Sequence, residues 1–371
     1  MTWSAPRALI DHAALRHNLG AARRLAPTSR VWAVVKANAY GHGLEQTAAT
    51  LADADGFAVA RVEEGVRLRE AGVSRPILVL EGALCADELA VAARFQLGLA
   101  LHHRGQVALL EEAAPPAPLA CWIKVDTGMH RLGFAPAAVP GVLEVLGHRC
   151  GGVRLAGLLT HLANADVPED TSSVQQCRAL QALAAGRGLP LSIANSAGLI
   201  ALPAARTEWV RPGIMLYGAS PFVTGCGADL GLAPAMTLQG RVLAIQHLAA
   251  GAAVGYGGTY VCPEAMPVGV VGVGYGDGYP RHAPTGTPVL LRGVRVPLIG
   301  RVSMDMISID LRPQPAATVG DSVTLWGGGL PVEEIAARSG TIPYELLCRI
   351  SPRVHLEHLP ETAGEPAGLR Q

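Results

Sequence analysis

The sequence predicts an α/β chain in two parts: an N-terminal (β/α)8, TIM-like barrel and a C-terminal, mainly β domain. Three observations carry that prediction. Eight short apolar runs in the first 210 residues are each separated by a helix-sized interval, which is the count and spacing of a parallel barrel. After Gly225 the texture changes to short β-branched runs punctuated by glycine and proline, as in a β domain. At 371 residues the chain has room for one large domain and one smaller one.

Taken in order, Asp11 reads as the N-cap of a helix over 12–25 that Pro27 ends. Residues 31–36 follow as an apolar run closing on a lysine, the pattern of a parallel strand covered on both faces. Further barrel strands are expected at 56–60, 76–80, 97–101, 119–125, 155–160, 191–194 and 209–210. The intervening helices fall at 44–52, 62–71, 86–95, 104–112, 137–146 and 171–185, with a short one at 197–202. The second part should hold strands at 237–245, 268–273, 288–296, 302–309 and 322–325, and helices at 331–339 and 343–350. The boundary belongs near 226–236, giving domains 1–230 and 231–371, with the first ten or so residues able to join the second domain. The last dozen residues read as a weakly structured tail.

Composition narrows the function. Half of the residues are hydrophobic, 16% are charged and the formal net charge is zero, with no basic stripe interleaved with aromatics. Nucleic acid is therefore not an expected partner. No apolar run approaches the roughly 20 residues of a membrane span, and the amino terminus has no signal-like apolar core. The seven cysteines are odd in number, scattered and without metal-site spacing, so reduced thiols, a cytoplasmic location and no metal are expected. Lys36 and Lys124 are the only lysines, although Lys and Arg together number 30. Arginine replaces lysine wherever charge suffices but cannot act as an amine nucleophile. Two retained lysines therefore point to amine chemistry.

In a barrel the chemistry gathers at the carboxyl ends of the strands, with phosphate favoured after strands seven and eight. Lys36 ends the first expected strand, ahead of Ala37-Asn38-Ala39-Tyr40-Gly41-His42-Gly43. The fifth runs into KVDTGMHRLG at 124–133, and the sixth ends in Thr160-His161. The seventh and eighth end in Asn195-Ser196-Ala197-Gly198 and Arg211-Pro212-Gly213-Ile214, small residues that let backbone N–H groups and the Ser196 hydroxyl face an anion. Each has a bland alternative. A lone strand-end lysine is usually solvated, and a lone histidine is usually structural, which is how His12, His102 and His103 read. Tyr256 and Tyr275, in glycine-rich turns, would by themselves be packing residues. No GxGxxG, GxSxG or HExxH pattern occurs.

These motifs, with HLANAD at 161–166, RPGIMLYG at 211–218, Gly255-Tyr256-Gly257, GYGDG at 274–278 and GRVSMDM at 300–306, resemble alanine racemase over nearly the whole chain. The resemblance implies a pyridoxal 5'-phosphate (PLP) enzyme of fold type III that interconverts L- and D-alanine, for peptidoglycan or for alanine catabolism. A broader amino-acid racemase, for example of serine, is the alternative within the same fold. By the resemblance, Lys36 carries PLP and serves as one acid/base. Tyr256, from the partner subunit of a head-to-tail homodimer, serves as the other. Arg131 and the Met304 backbone amide would hold the substrate carboxylate. Arg211 would face the pyridine nitrogen, and His161 would pack on the ring. Tyr40, Ser196, Gly213, Ile214 and Tyr344 would cradle the phosphate. Lys124 matches a lysine often carbamylated in the family, where the resulting anion holds Arg131. Asn195, Tyr275 and Asp305 match supporting positions.

Overall fold

Eight parallel strands close into a barrel: β2 (Arg30–Val34), β3 (Gly56–Val59), β4 (Ile77–Val79), β5 (Gly98–Leu101), β6 (Leu119–Lys124), β7 (Val153–Leu159), β8 (Leu191–Ser192) and β9 (Trp209–Val210). The computed structural model describes residues 5–113 and 118–360. The ring shuts where Val31 of β2 registers with Val210 of β9. β3 and β4 are buried along their whole length, as strands covered on both faces must be. Trp32, Trp122 and Trp209 fill the amino-terminal end of the barrel; the Trp32 and Trp209 rings stack at 4.2 Å, and both meet Trp122 edge-on at 6.4 Å. The helix His12–Leu25 is capped as expected, with the Asp11 carboxylate accepting from the Ala14 N–H at 3.0 Å.

The second part is an eight-stranded sheet that also recruits β1 (Arg7–Ile10) from the start of the chain. Its other members are β10 (Met236–Leu248), β13 (Met266–Val271), β14 (Pro288–Leu291), β15 (Val294–Ile299), β16 (Ile307–Asp310), β17 (Ser322–Trp326) and β18 (His355–His358). A separate hairpin pairs β11 (Ala253–Val254) with β12 (Tyr260–Val261). The long β10 pairs with β1 and β17 through its first half and with β13 through its second, bending at a bulge near Val242.

Several expectations need correction. The first barrel strand stops at Val34, so Lys36 lies in the turn beyond it. The run 288–296 is not one strand but a hairpin, because Arg292 (φ 50°) and Gly293 (φ 77°) turn the chain. Of 302–309 only Ile307–Asp310 is strand; the rest is a loop held by the Ser303 N–H donating to the Met306 carbonyl at 2.9 Å. Strands β1, β11, β12 and β18 were not expected, being short or, in β18, polar. The expected C-terminal tail lies outside the described residues, apart from its first.

The two parts meet tightly beside the Lys36 turn. Gly41 has φ +82°, and a Cβ there would fall 2.1 Å from the Leu347 carbonyl oxygen of the helix Pro343–Cys348. Gly41→Ala therefore combines a disfavoured backbone conformation with a backbone clash. It should lower unfolding stability by about 2–4 kcal/mol, read as a reduced urea midpoint. An unchanged midpoint would show that this junction yields freely.

Candidate active site

The mouth of the barrel opens into a cleft of about 590 Å³. Lys36 enters it from a turn of unusual hand: Ala37, Asn38, Ala39 and Tyr40 all have φ between 51° and 54°. Left-handed backbone costs a non-glycine residue roughly 1–2 kcal/mol, so the turn needs anchors, and it has several. The Asn38 side chain accepts from the Leu44 N–H at 3.0 Å. His42 Nδ1 lies 3.1 Å from the Ala39 carbonyl and 2.9 Å from that of Tyr40. Burial brings the His42 pKa down to about 4, so the ring is neutral, and its Nδ1–H donates to those carbonyls. At the far end of the turn the Tyr40 ring stacks on Tyr217 at 4.6 Å.

The fifth strand delivers Lys124 and Arg131. Asp126 shapes the intervening loop by accepting from the Gly128 and His130 N–H groups, both at 3.0 Å. Arg211, beyond the eighth strand, is 4% exposed and donates to Ser192 Oγ at 2.6 Å, to the Ile193 carbonyl at 3.2 Å and to the Thr160 carbonyl. All three acceptors are neutral, and among the described residues no carboxylate pairs with Arg211, Arg131 or Lys124. Ser196 Oγ accepts from the N–H groups of Gly213 (2.9 Å) and Met215 (3.3 Å), tying the seventh and eighth strand ends together.

The cleft is accordingly cationic, and its titrations reflect that. Burial lowers the Lys36 pKa, Arg131 adds to this, and Glu64 and Glu81 oppose it. Lys124 is brought down to about 8 by burial, with Arg211, Arg131 and Lys36 adding. His161 falls well below its ordinary value through burial and the same cations, so it is neutral. Arg211 is lowered by burial to about 10 and keeps its charge near neutrality. Tyr40 and Tyr344 are pushed up by burial and remain protonated hydrogen-bond donors.

Of the residues singled out from sequence, Lys36, Tyr40, Lys124, Arg131, His161, Asn195, Ser196, Arg211, Gly213, Ile214 and Tyr344 line this one cleft. Tyr256, Tyr275, Met304 and Asp305 do not line it. Tyr256 sits at the tip of the β11–β12 hairpin and is 68% exposed; Met304 is 52% and Tyr275 37% exposed. Tyr275 and Met304 are neighbours, since the N–H groups of Tyr275 and Gly276 donate to the carbonyls of Ser303 (3.1 Å) and Met304 (2.8 Å). Asp305 pairs with Arg353 at 2.6 Å.

Comparison with known proteins places this architecture. The family described as "Alanine racemase, N-terminal domain" matches residues 10–221, and "Alanine racemase, C-terminal domain" matches 235–358. The chain belongs to the alanine racemase family. An alanine racemase of Nitrosococcus oceani is 54% identical over 351 residues, covering 94% of this chain and 98% of the relative. The crystal structure of the biosynthetic alanine racemase of Pseudomonas aeruginosa superposes with a TM-score of 0.92 at 44% identity, covering 96% of this chain and 99% of that one. An alanine racemase structure from Acinetobacter baumannii gives a TM-score of 0.89 at 38% identity, with 96% and 99% covered. The enzyme interconverts the two enantiomers of alanine; nothing in these relatives favours serine.

Within the racemase the sequence reading missed Ser192, Gln176, Tyr217 and Glu64. Gln176 donates to the His161 carbonyl at 3.1 Å and Thr127 Oγ1 at 3.3 Å, and accepts from the Ala163 N–H at 2.9 Å. Tyr217 donates to the Val34 carbonyl at 2.9 Å, just before the Lys36 turn. Ser192 alone left a signal, a hydroxyl in an otherwise apolar strand. Gly213 offers a direct test of the mouth: a Cβ there would stand 2.6 Å from the Tyr40 hydroxyl, whose ring is held by the Tyr217 stack. Gly213→Ala should lower kcat/KM for alanine at least ~10-fold with an unchanged circular dichroism spectrum. Activity within ~2-fold of the parent would show that this approach is not required.

Proposed function

We propose that the racemase works with PLP carried on Lys36, and with Lys36 and Tyr256 of the partner subunit as opposed acid/bases, in a cytoplasmic homodimer. The observation that carries the reading is the excess of positive charge around Lys36. Among the described residues Arg131 and Arg211 lack carboxylate partners, and two protonated phenols, Tyr40 and Tyr344, face the same space. Such a donor set fits a dianionic phosphate together with a substrate carboxylate. Tyr40, Tyr344, Ser196 and the backbone at Gly213 and Ile214 would hold the phosphate; the absence of a side chain at Gly213 leaves room beside the Tyr40 hydroxyl. When bound, the cofactor would draw electrons from the substrate's α-carbon and make its proton removable.

The chain's own residues do the rest. Arg131 and the Met304 amide of the partner subunit would orient the substrate carboxylate. Arg211 stays charged near neutrality and has no proton to exchange there, so it would leave the pyridine nitrogen unprotonated. That favours quick return of a proton to the α-carbon over transamination. His161, neutral, would pack on the ring without adding a charge. Lys36 has its pKa lowered by burial and by Arg131, which favours the free amine that removes or returns a proton on one face. The Tyr256 phenol would act on the other. Free thiols at all seven cysteines support the cytoplasmic placement.

Lys124 is proposed as a carbamate. Its amine, with a pKa brought down to about 8, becomes largely the free base at mildly alkaline pH, and CO2 adds to such an amine with loss of one proton. The resulting anion would pair with Arg131. In 13C-bicarbonate a carbamate carbon signal should appear, weaken as pH falls below about 8 and be missing in Lys124→Ala. No signal at alkaline pH would rule the modification out.

The shared site has its own test. Borohydride reduction of the loaded enzyme should fix the cofactor on Lys36, located by peptide mapping. Lys36→Ala and Tyr256→Phe chains should each be nearly inactive. Mixed and allowed to exchange subunits, they should recover up to about a quarter of the parent activity, since half of the dimers would be hybrids with one intact site of two. Absence of recovery after demonstrated exchange would refute a site built from two chains.

A further inference from the structure

Lys36 is flanked by two backbone ties that both come from the β3 corner of the barrel. On its amino side the Val35 N–H donates to the Ala58 carbonyl at 2.9 Å. On its carboxyl side the Ala37 N–H donates to Glu64 Oε1 at 2.7 Å. The other oxygen of Glu64 accepts from the N–H groups of Ala60 (2.8 Å) and Arg61 (3.3 Å), where the helix Val62–Glu70 begins. All three partners are donors, so the side chain acts as a carboxylate with both oxygens in use. Ala37 is also the first of the four left-handed residues, a backbone conformation disfavoured for residues other than glycine. Released at that point, the turn could relax to the ordinary hand, and the direction of Lys36 would change with its backbone.

We propose that Glu64 is a positioning residue for the racemisation: it clamps the left-handed turn to the β3 corner and so fixes where the Lys36 amine stands. The inference rests on the reading of Lys36 as the cofactor-bearing acid/base. Glu64 also acts through its charge. The groups that influence Lys36 are Arg131, Glu64, Glu81 and Cys348, while Lys124, His161 and Arg211 share its cleft. Glu64 is foremost among those that raise the Lys36 pKa against burial and Arg131. Removing its charge therefore lowers that pKa further. Because the amine must be unprotonated to take a proton, the acid limb of the pH profile should move to lower pH.

Glu64→Gln keeps one acceptor and loses the charge; Glu64→Asp keeps the charge but is too short to span Ala37 and the helix start. In the loaded enzyme both should lose ~10–100-fold in kcat with KM for L-alanine within ~3-fold of the parent. Lys36 is a free amine only after substrate has displaced it from the cofactor, so it is the acid limb of kcat that should shift to lower pH in the Gln variant and stay in place in the Asp variant. Both should melt within a few degrees of the parent, and in both borohydride should still fix the cofactor on Lys36. A kcat within ~2-fold of the parent in both variants, or an acid limb unmoved by Gln, would overturn the clamp. If the parent itself is not labelled at Lys36, the reading beneath the proposal fails instead, whatever the variants do.

Discussion

Four consecutive left-handed residues, none of them glycine, are the constraint around which the mouth of the barrel is arranged. A turn of that hand is disfavoured by several kcal/mol in sum, and it persists because neighbours over-determine it. His42 bonds its carbonyls and Glu64 an N–H group, the Asn38 side chain accepts from the Leu44 N–H just beyond it, and the helix Pro343–Cys348 closes on Gly41. The same turn carries Lys36 at its start and Tyr40 at its end. A compact left-handed turn thus sets an amine and a phenol at a fixed separation, which an extended strand end could not do. Under the proposed function these are the two ends of the bound cofactor. The strain serves to define a distance.

The second organising fact is how Arg211 is satisfied. A buried arginine normally finds a carboxylate, yet here its partners are a serine hydroxyl and two carbonyls. Neutral acceptors meet its hydrogen bonds without cancelling its charge. The field of that charge reaches Lys124 and His161 and depresses both. Burial is the larger cause at both residues, and this cation adds to it, leaving a neutral histidine and a lysine brought down to about 8. The arrangement also explains why Ser192 stands in an otherwise apolar strand: its hydroxyl is there for the guanidinium, whereas Thr160 offers Arg211 its backbone carbonyl.

How much of this the sequence discloses depends on what each residue answers to. The barrel was legible because strands buried on both faces read as apolar runs, and their ends then located Lys36, Lys124, His161, Ser196 and Arg211. The scarcity of lysine marked the two amines before any motif did. Strands β1 and β18 were not legible, because they owe their conformation to β10 and to each other, and β18 is polar in three of its four positions. The loop at 302–306 read as strand because Val302, Met304 and Met306 alternate with polar residues, while its geometry is set by the turn at 274–278, whose Tyr275 and Gly276 N–H groups donate to the Ser303 and Met304 carbonyls. Glu64, Gln176 and Tyr217 were missed for a common reason. Each bonds a backbone group of the site, and a backbone group leaves no mark in a sequence.

The residues that the single chain fails to bring into the cleft are the more telling half. An amine rooted in one wall reaches one face of a bound α-carbon, and racemisation requires a proton on both. Yet the candidate for the other face, Tyr256, stands on a hairpin tip with 68% of its surface exposed, between two glycines that both need positive φ. Met304, Met306 and Ile342 are exposed in the same part of the chain. A solvated phenol on a hairpin tip adds little to the stability of its own domain, and the exposed methionines leave apolar surface unburied. Under the proposed function both belong to a surface covered by another barrel mouth. In a two-fold dimer the same patch is used twice, so each chain would complete the cleft it does not own, and the chemistry would require assembly.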